Sequence, residues 1–522
     1  MHREEVVRVV RELARQGYNA EPEAATLLAN APDPDRAIER AVETAPEDAL
    51  KLRADHVRSA LADAPEGPPS NAVAAETGAS DAADSGGPNP SVSTGDHPRN
   101  QDRTSGRSPV ETKGSGGDSR DPAPPGVAGD MTGRSTGTGS YDDFVTTFRD
   151  RYERLGGKLR SRVNHRPAEA IESMPGGSEV AMVGMVNDVR STASGHWLVE
   201  LEDTSGTFPW LVMKDRDIAD LVDELLLDEV IAAEGTLADD AGIAFVDSLH
   251  FPDVPRTYEP DTADRPVQAA LISDVHVGSQ EFLPEAWSRF TDWLHTPEGE
   301  SVEYVLIAGD MVEGVGVYPG QEDELVVKDV YDQYETFSEH LKEVPGDVEI
   351  VMIPGNHDAV RLAEPQPGFD EELRSIMSAH DARIASNPAT VTVEGVDVLM
   401  YHGVSLDEVI AELPDEMASY DEPDRAMTQL LKKRHLAPQF GGRMRIAPEE
   451  RDYLVIDEVP DVFHAGHVHK IGVGTYHGVR IVNSGTWQAQ TNFQQSVDLD
   501  PDVAFAPILD LDTLDVTLRK FQ

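Results

Sequence analysis

Between residues 266 and 522 the chain repeatedly runs apolar for a few residues and then stops on a polar side chain suited to bind a metal ion. The runs are ALISDVH, ending at Asp274 and His276; VLIAGD, at Asp310; VMIPGNHD, at Asn356 and His357; VLMYHG, at His402; VFHAGHVH, at His467 and His469; and VRIVNSGT, at Ser484 and Thr486. Short runs rich in Val, Ile and Leu read as buried strands. Stretches between them, such as PEAWSRFTDWLH and VYDQYETFSEHL, suit crossover helices and predict an α/β layout. Ligands of open α/β sheets bind beyond the carboxyl ends of the strands. A single sheet would therefore gather these tips in one pocket. Two Asp, one Asn and four His, with His357 adjacent, form a mixed oxygen–nitrogen set. Such a set fits two transition metals sharing a bridging carboxylate. A lone DxH or GD motif arises often by chance; the ordered series within one segment is far more specific.

The remaining 265 residues must form other units, since 522 residues exceed one core. Residues 1–60 predict a small helical docking module. Val6, Val7, Val10 and Leu13 make a helical stripe, Asp33-Pro34 is an N-cap followed by Pro, and Thr44 with Glu47 reads as a capping box. Residues 61–140 are rich in Gly, Ser, Pro, Thr, Asp and Ala and predict a disordered linker. Residues 141–260 predict a helix followed by five short strands of an OB-like barrel. Phe144, Phe148 and Tyr152 mark the packing face of the helix. Trp197 and Trp210 are aromatics that an OB-fold could offer to single-stranded nucleic acid, although cations are few there; packing is the alternative use.

No apolar run is long enough to span a membrane, and the N-terminus lacks a signal-peptide core, so a cytoplasmic location is expected. The chain has no cysteine, which excludes disulfides, thiolate metal sites and cysteine nucleophiles. Asp and Glu number 96 against 44 Lys and Arg, a formal charge of −52. That balance ordinarily argues against nucleic acid. Here the acid is spread over the whole chain, as expected for a protein of a saline, halophilic archaeal cytoplasm where salt screens self-repulsion. Against this background LLKKRHLAPQFGGRMR contains no acid. Its Lys432, Lys433, Arg434, Arg443 and Arg445 read either as phosphate contacts for DNA or as an intramolecular ion-pair surface.

The series D-x-H, G-D, G-N-H-D, H-G, G-H-x-H resembles the calcineurin-like metallophosphoesterase superfamily over residues 266–522. The phrases LKKRHLAP, DYLVIDEVPDVFHAGHVH and NSGTWQ, with an OB-like barrel directly before, resemble the small subunit of archaeal family D DNA polymerase over residues 141–522. The resemblance implies an α/β phosphoesterase sandwich at the C-terminus. It also implies two divalent ions, manganese by analogy, with Mg, Fe, Zn or Ni as alternatives. One ion would take Asp274, His276, Asp310 and His469; the other Asp310, Asn356, His402 and His467. His357 would serve catalysis near the leaving group, Asp358 would be structural, and His464 would support the ligands. The implied function is a 3′→5′ exonuclease acting on DNA 3′ ends, in a heterodimer with a large catalytic polymerase subunit. A sliding clamp or a primase stands as a further candidate partner. Two other readings remain open: a free-standing phosphoesterase acting on nucleotides, and a non-catalytic scaffold subunit.

Overall fold

The computed structural model describes residues 9, 13, 19–20, 22–31, 34–44, 51–52, 54–62, 123–134, 139–318, 320–377, 383–442 and 444–522. They fall into two compact units, 1–112 and 113–522. Among the described residues no helix is long and apolar enough to cross a membrane.

The first unit contains helices Pro22–Ala29, Pro34–Glu43 and Ala54–Ala62 and two short parallel strands, β1 (Asn19–Ala20) and β2 (Lys51–Leu52). Val9, Leu13, Leu28, Ile38 and Val57 form its core. The second helix begins at Pro34, as the N1 preference of proline predicts. The Thr44 hydroxyl donates back to the Arg40 carbonyl at the end of that helix. Glu47 and most of the expected linker lie outside the described residues.

One part of that linker is ordered. Residues Gly126–Ala128 form β3, which pairs antiparallel with β13 (Ala389–Val393) at a sheet edge. Met131 is buried, and its N–H donates to Ser386 Oγ (3.1 Å). All three residues of β3 are exposed, so backbone bonds to an open edge hold it, not apolar burial. Composition is blind to that kind of attachment.

The second unit joins a closed barrel to a sandwich. The barrel strands are β4 (Glu179–Ser191), β5 (Trp197–Asp203), β6 (Gly206–Val212), β7 (Val230–Leu237) and β8 (Ala244–His250), in the order β4-β5-β6-β8-β7, with β7 pairing back to β4. Phe208 and Trp210 fill its centre. Trp210 is fully buried, which removes it as a nucleic-acid platform; Trp197 is half-buried.

The expectation of a single sheet is corrected: two six-stranded sheets share the task. The first orders β12 (Arg383–Ile384), β11 (Glu349–Ile353), β10 (Val302–Ala308), β9 (Gln268–Ile272), β18 (Phe505–Asp510) and β19 (Asp515–Lys520). The second orders β16 (Ile471–Tyr476), β17 (Val479–Ser484), β15 (Val462–Ala465), β14 (Val396–Met400), β13 and β3. Alternate residues divide between faces, as strand geometry requires. Leu271, Leu306 and Val351 meet Val391, Val398, Val462 and Val482 between the sheets. Ile272, Val305 and Met352 face outward onto helices Pro284–Leu294 and Val330–Leu341 through Trp287, Phe290 and Phe337. On the far side, Leu399 and Phe463 meet Met427 and Leu430 of helix Pro423–Lys433. The result is a four-layer helix–sheet–sheet–helix stack. Burial on both faces explains why the strands read as unbroken apolar runs.

Helix Tyr141–Arg160 joins barrel to sandwich. Tyr152, Leu155 and Leu159 pack on Val183, Val230 and Ala232, and Phe144 and Phe148 meet Phe440. Arg151, fully buried, donates to Asp452 Oδ2 (2.8 Å) and to the Pro438 carbonyl (2.6 Å). His435 Nε2 reaches the same carboxylate oxygen at 2.9 Å, while its Nδ1 accepts the Ala437 N–H at 3.0 Å. Only the neutral Nε2–H tautomer satisfies both contacts. Burial and the neighbouring Arg151 charge accordingly pull His435 down to about 4.

This buried cluster predicts acid sensitivity. His435 has a folded pKa below its unfolded value of about 6.5, so its contribution is complete above pH 6.5 and is lost as pH falls toward about 4. Denaturant unfolding in molar salt is expected to show falling stability between pH 6.5 and pH 4. His435→Asn should flatten that slope, and an unchanged slope would refute the tautomer assignment.

Candidate metal centre

The parallel strands of the two sheets end on one rim. In the first sheet β9, β10 and β11 run parallel and lead into Asp274, Asp310 and Asn356. In the second, β14, β15 and β17 run parallel and lead into His402, His467 and Ser484. Asp274, His276, Asp310, His467 and His469 all take left-handed backbone, with φ of 53°, 55°, 51°, 72° and 56°. Such backbone is uncommon for residues with a Cβ and tends to concentrate at functional sites. Here it turns each side chain back across the strand ends.

Three glycines make the convergence sterically possible. A Cβ on Gly309 would lie 2.5 Å from His402 Nδ1, one on Gly355 2.2 Å from Asp310 Oδ1, and one on Gly466 2.3 Å from Asp274 Oδ2. These are the glycines of the G-D, G-N-H-D and G-H-x-H motifs.

Two donor groups result. In the first, His276 Nε2 and His469 Nε2 are 3.1 Å apart, and Asp274 Oδ1 lies 3.8 and 3.4 Å from them. In the second, His402 Nε2 lies 3.2 Å from Asp310 Oδ2 and 3.0 Å from Asn356 Oδ1. His467 joins this second group, its ring 5.1 Å from that of His402. Asp310 Oδ2 is also 3.8 Å from His276 Nε2, so one carboxylate stands between the groups. Donors about 2.1 Å from a shared ion stand roughly 3.0–3.4 Å apart, close to these separations. Asp274 Oδ1 is buried without a hydrogen-bond partner. Orphaned oxygen, converging ring nitrogens and mixed O/N chemistry all fit divalent cations.

The remaining ring nitrogens are anchored. His402 Nδ1 donates to the Ala308 carbonyl (2.8 Å) and His357 Nδ1 to the Glu313 carbonyl (2.8 Å). His276 Nδ1 lies 2.9 Å from Glu313 Oε2, although the N–H does not point straight at the oxygen. His469 Nδ1 is 2.7 Å from Gln494 Nε2. Glu313 carries no sequence signal, because it sits in a glycine-rich loop outside any motif.

Electrostatics follow from burial and this crowding. Burial raises the Asp310 carboxyl, but the charges of His402 and His357 outweigh it and hold Asp310 well below the usual carboxylate range. Burial likewise pushes Glu313 up, and its contact with His276 outweighs that, bringing it to about 2. Asp358, next to His357, is raised to about 7 by burial and then by the Asp310 charge. It accepts the Gly355 N–H (2.8 Å) and the Tyr334 hydroxyl (2.9 Å), a structural duty.

Other expected residues sit elsewhere. Ser484 bonds Ser273 Oγ and His464 Nε2, and Thr486 donates to the Asp274 carbonyl; both lace the rim from behind. The basic island is corrected in the main. Lys433 is fully buried, donating to the Glu224 carbonyl (2.7 Å) and standing 3.3 Å from Glu229. Arg434 is buried against the Ile456 carbonyl (2.9 Å), and Lys432 pairs with Glu224. These three cations bind the sandwich internally and to the barrel, and burial takes Lys433 and Arg434 out of reach of a DNA phosphate. Arg445 is exposed; Arg443 lies outside the described residues.

The profile of the DNA polymerase alpha/epsilon B-subunit family matches residues 269–471. The DNA polymerase II small subunit of Halobacterium salinarum is 65% identical over 515 residues, 99% of each chain. That of Archaeoglobus fulgidus is 45% identical over 383 residues, 72% of this chain and 76% of its own. That of Methanocaldococcus jannaschii is 40% identical over 393 residues, 73% of this chain and 66% of its own. This chain belongs to the family of DNA polymerase II small subunits.

The glycine contacts make a direct prediction. Gly466→Ala forces the buried Asp274 and Ser273 side chains to move. It should cost about 1–3 kcal/mol, the usual penalty of overpacking, read as a lowered denaturation midpoint in molar salt.

Proposed function

We propose that this chain is a metal-dependent 3′→5′ exonuclease that edits DNA 3′ ends as the small subunit of a two-chain DNA polymerase. The convergence of two donor groups about Asp310 carries this reading. Asp274, His276 and His469 would hold one cation, and Asn356, His402 and His467 the other, with Asp310 shared. When bound, such a pair supplies Lewis acidity and an ionised water for attack on a phosphodiester. Manganese is the metal proposed by family analogy; the imidazole-rich set also suits Fe, Zn or Ni, and its oxygens leave Mg as a further alternative.

The chain's own residues do the rest. His357 is the least buried of the inner histidines, with 18% of its side chain exposed. Its Nδ1–H is spent on Glu313, which leaves Nε2 free to exchange a proton with the departing oxygen. Its N–H donates to Asp310 Oδ1 (2.8 Å), so ring and shared carboxylate are placed together. Asn356 adds an oxygen without a further negative charge, which a polyanionic substrate favours.

Replacing the shared carboxylate tests the core of the reading. Asp310→Asn should abolish hydrolysis of 3′-labelled single strands in manganese and lower bound metal. His357→Ala should lower turnover about 10²–10⁴-fold with metal content preserved. Asp310→Asn retaining wild-type rates would refute the site.

The polymerase role requires a larger synthetic chain. The barrel and the adjoining sandwich surface are proposed to dock it, leaving the N-terminal helical unit free to recruit a further replication factor, such as a clamp or primase. Since β3 belongs to the second unit, the informative truncation removes residues 1–112. The truncated chain is expected to co-purify with the larger subunit in molar salt and keep nuclease activity. Loss of the complex would overturn this division.

A further inference from the structure

We propose that Glu313 is a positioning residue shared by both parts of this site: its carboxylate sets the ring of His276, and its main-chain carbonyl sets the ring of His357. The inference rests on the metal-dependent reading above and extends it to a residue that lies outside every motif.

The bonding around Glu313 is complete. Oε1 accepts from Gln321 Nε2 (3.1 Å) and lies 3.2 Å from the Tyr318 hydroxyl, whose one proton it shares with Glu324 Oε2 (2.8 Å). Oε2 accepts from Gln488 Nε2 (2.8 Å) and faces His276 Nδ1 at 2.9 Å. The carbonyl takes His357 Nδ1 (2.8 Å) and Gln321 Nε2 (2.9 Å), and the N–H donates to the Val277 carbonyl (2.9 Å). The residue is 2% exposed. A buried carboxylate kept only for stability would ordinarily sit against Arg or Lys. The other three side-chain donors here are neutral, so the groups able to compensate its charge are two rings, His276 and, at 3.8 Å from Oε1, His357, both of which also face the candidate centre. A bidentate arginine would draw that charge away from His276; a phenol and two amides hold the oxygens still and leave the charge facing the imidazole.

Both histidines are thereby given the same tautomer. Nδ1 of His357 donates to the Glu313 carbonyl and Nδ1 of His276 stands 2.9 Å from its carboxylate, which leaves Nε2 of each for chemistry: for a cation at His276, for a proton at His357. Carboxylate partners of this kind fix ring orientation and raise the basicity of metal-binding histidines. The rings of His276 and His357 stand edge to face, 4.8 Å apart, so one side chain and its own backbone space them. The loop after Glu313 belongs to the same device. Gly314 has φ of 74°, and a Cβ there would lie 2.2 Å from the His357 carbonyl. Tyr318 and Gln321 then return to the carboxylate that opens the loop. Gln488, from beyond β17, bonds both Glu313 and Ser279 Oγ (2.9 Å) and closes the arrangement from the second sheet.

The test uses the full-length chain in molar salt, with Mn(II) as the probe, titrated by calorimetry and by electron paramagnetic resonance of the free ion. The wild type is expected to bind two ions. Glu313→Gln should weaken one of them about 10–100-fold, the usual effect of losing such a partner, and leave the other unchanged. Tyr318→Phe, which removes one neutral donor and should fold in any case, should shift the same site in the same direction by a smaller factor. Nitrogen-15 spectra of the histidine rings should show loss of the fixed Nδ1–H tautomer at His276 in Glu313→Gln, with His357 retained because its acceptor is main chain. A lowered melting temperature with both Mn(II) constants and the ring tautomers unchanged would assign Glu313 a purely structural role and overturn the proposal. A wild type that binds no Mn(II) would instead remove the metal reading itself, and the proposal with it.

Discussion

Three carboxylates in the heart of the sandwich have no full positive charge beside them. Among the described residues, the ion-pair partners of Asp274, Asp310 and Glu313 are all histidines. Burying such groups costs several kcal/mol each unless something compensates. Imidazoles compensate by taking up protons: burial pulls His402 down, yet the Asp310 charge drives it up to about 10. The same field attracts any cation, and a metal ion competes with protons for the same nitrogens. The rest of the unit can be understood from this demand. Two sheets stack so that six strand ends share one rim, glycines sit where carboxylates press on backbone, and the helices lie on the outer faces, away from the rim.

A second set of charges does the opposite work. At the join between barrel and sandwich, cations sit against partners already supplied, and Arg151 and Lys433 are fully buried there. Arg151 meets Asp452, Lys433 meets Glu229, and Arg154 meets Asp457. Lys158 donates to the Asp457 carbonyl, and Arg162 to those of Phe251 and Pro252. The two fully buried pairs, Arg151–Asp452 and Lys433–Glu229, gain little over apolar packing but are costly to break singly, so they specify how the two parts seat. In a chain of net charge −52, with few cations to spend, much of the basic segment goes to holding the molecule together. High salt screens exposed acids and reaches these enclosed pairs far less.

What could be read from the sequence divides along this line. The site was legible because each candidate ligand is attached to an apolar run that ends where the ligand begins, and strand ends are the place where α/β proteins assemble sites. Asp274, Asp310, Asn356, His402 and His467 needed only that rule to be placed near one another. Glu313 was not legible: it meets Gln321 and Tyr318 within a loop and Gln488 from far along the chain, contacts with no periodic trace. Lys433 and Arg434 misled because a run of cations carries no mark of burial; their exposure is set by Glu224, Glu229 and Asp457, which lie elsewhere in the sequence. β3 escaped because backbone bonds, not side chains, attach it. Strand pattern alone did not separate the second sheet from the first, because the strands of both have the same composition; the sandwich was implied only by the family resemblance.

The strained backbone says how rigid the site is. Five candidate ligands hold left-handed φ, at a cost on the order of 1–2 kcal/mol each. Strain of that size persists only where the surroundings over-determine it. Here the surroundings are the fully buried strands that precede each turn, together with bonds that cross between sheets: His402 Nδ1 to the Ala308 carbonyl, and the His467 N–H to Asp274 Oδ2 (2.9 Å). A site held this way presents its donors before any ligand arrives, which favours electrostatic work over induced fit. Adaptation to substrate must then come from segments without that constraint. The loop from Gly314 to Glu324 carries exposed Val315 and three glycines of positive φ, and it reaches the centre through Glu313 and through the Tyr318 ring, which stands edge to face with His357. The short helix Asn492–Ser496 exposes Phe493 and touches His469 through Gln494. The rigid sheet ends thus fix where the candidate donors stand, and these two lighter elements border that rim.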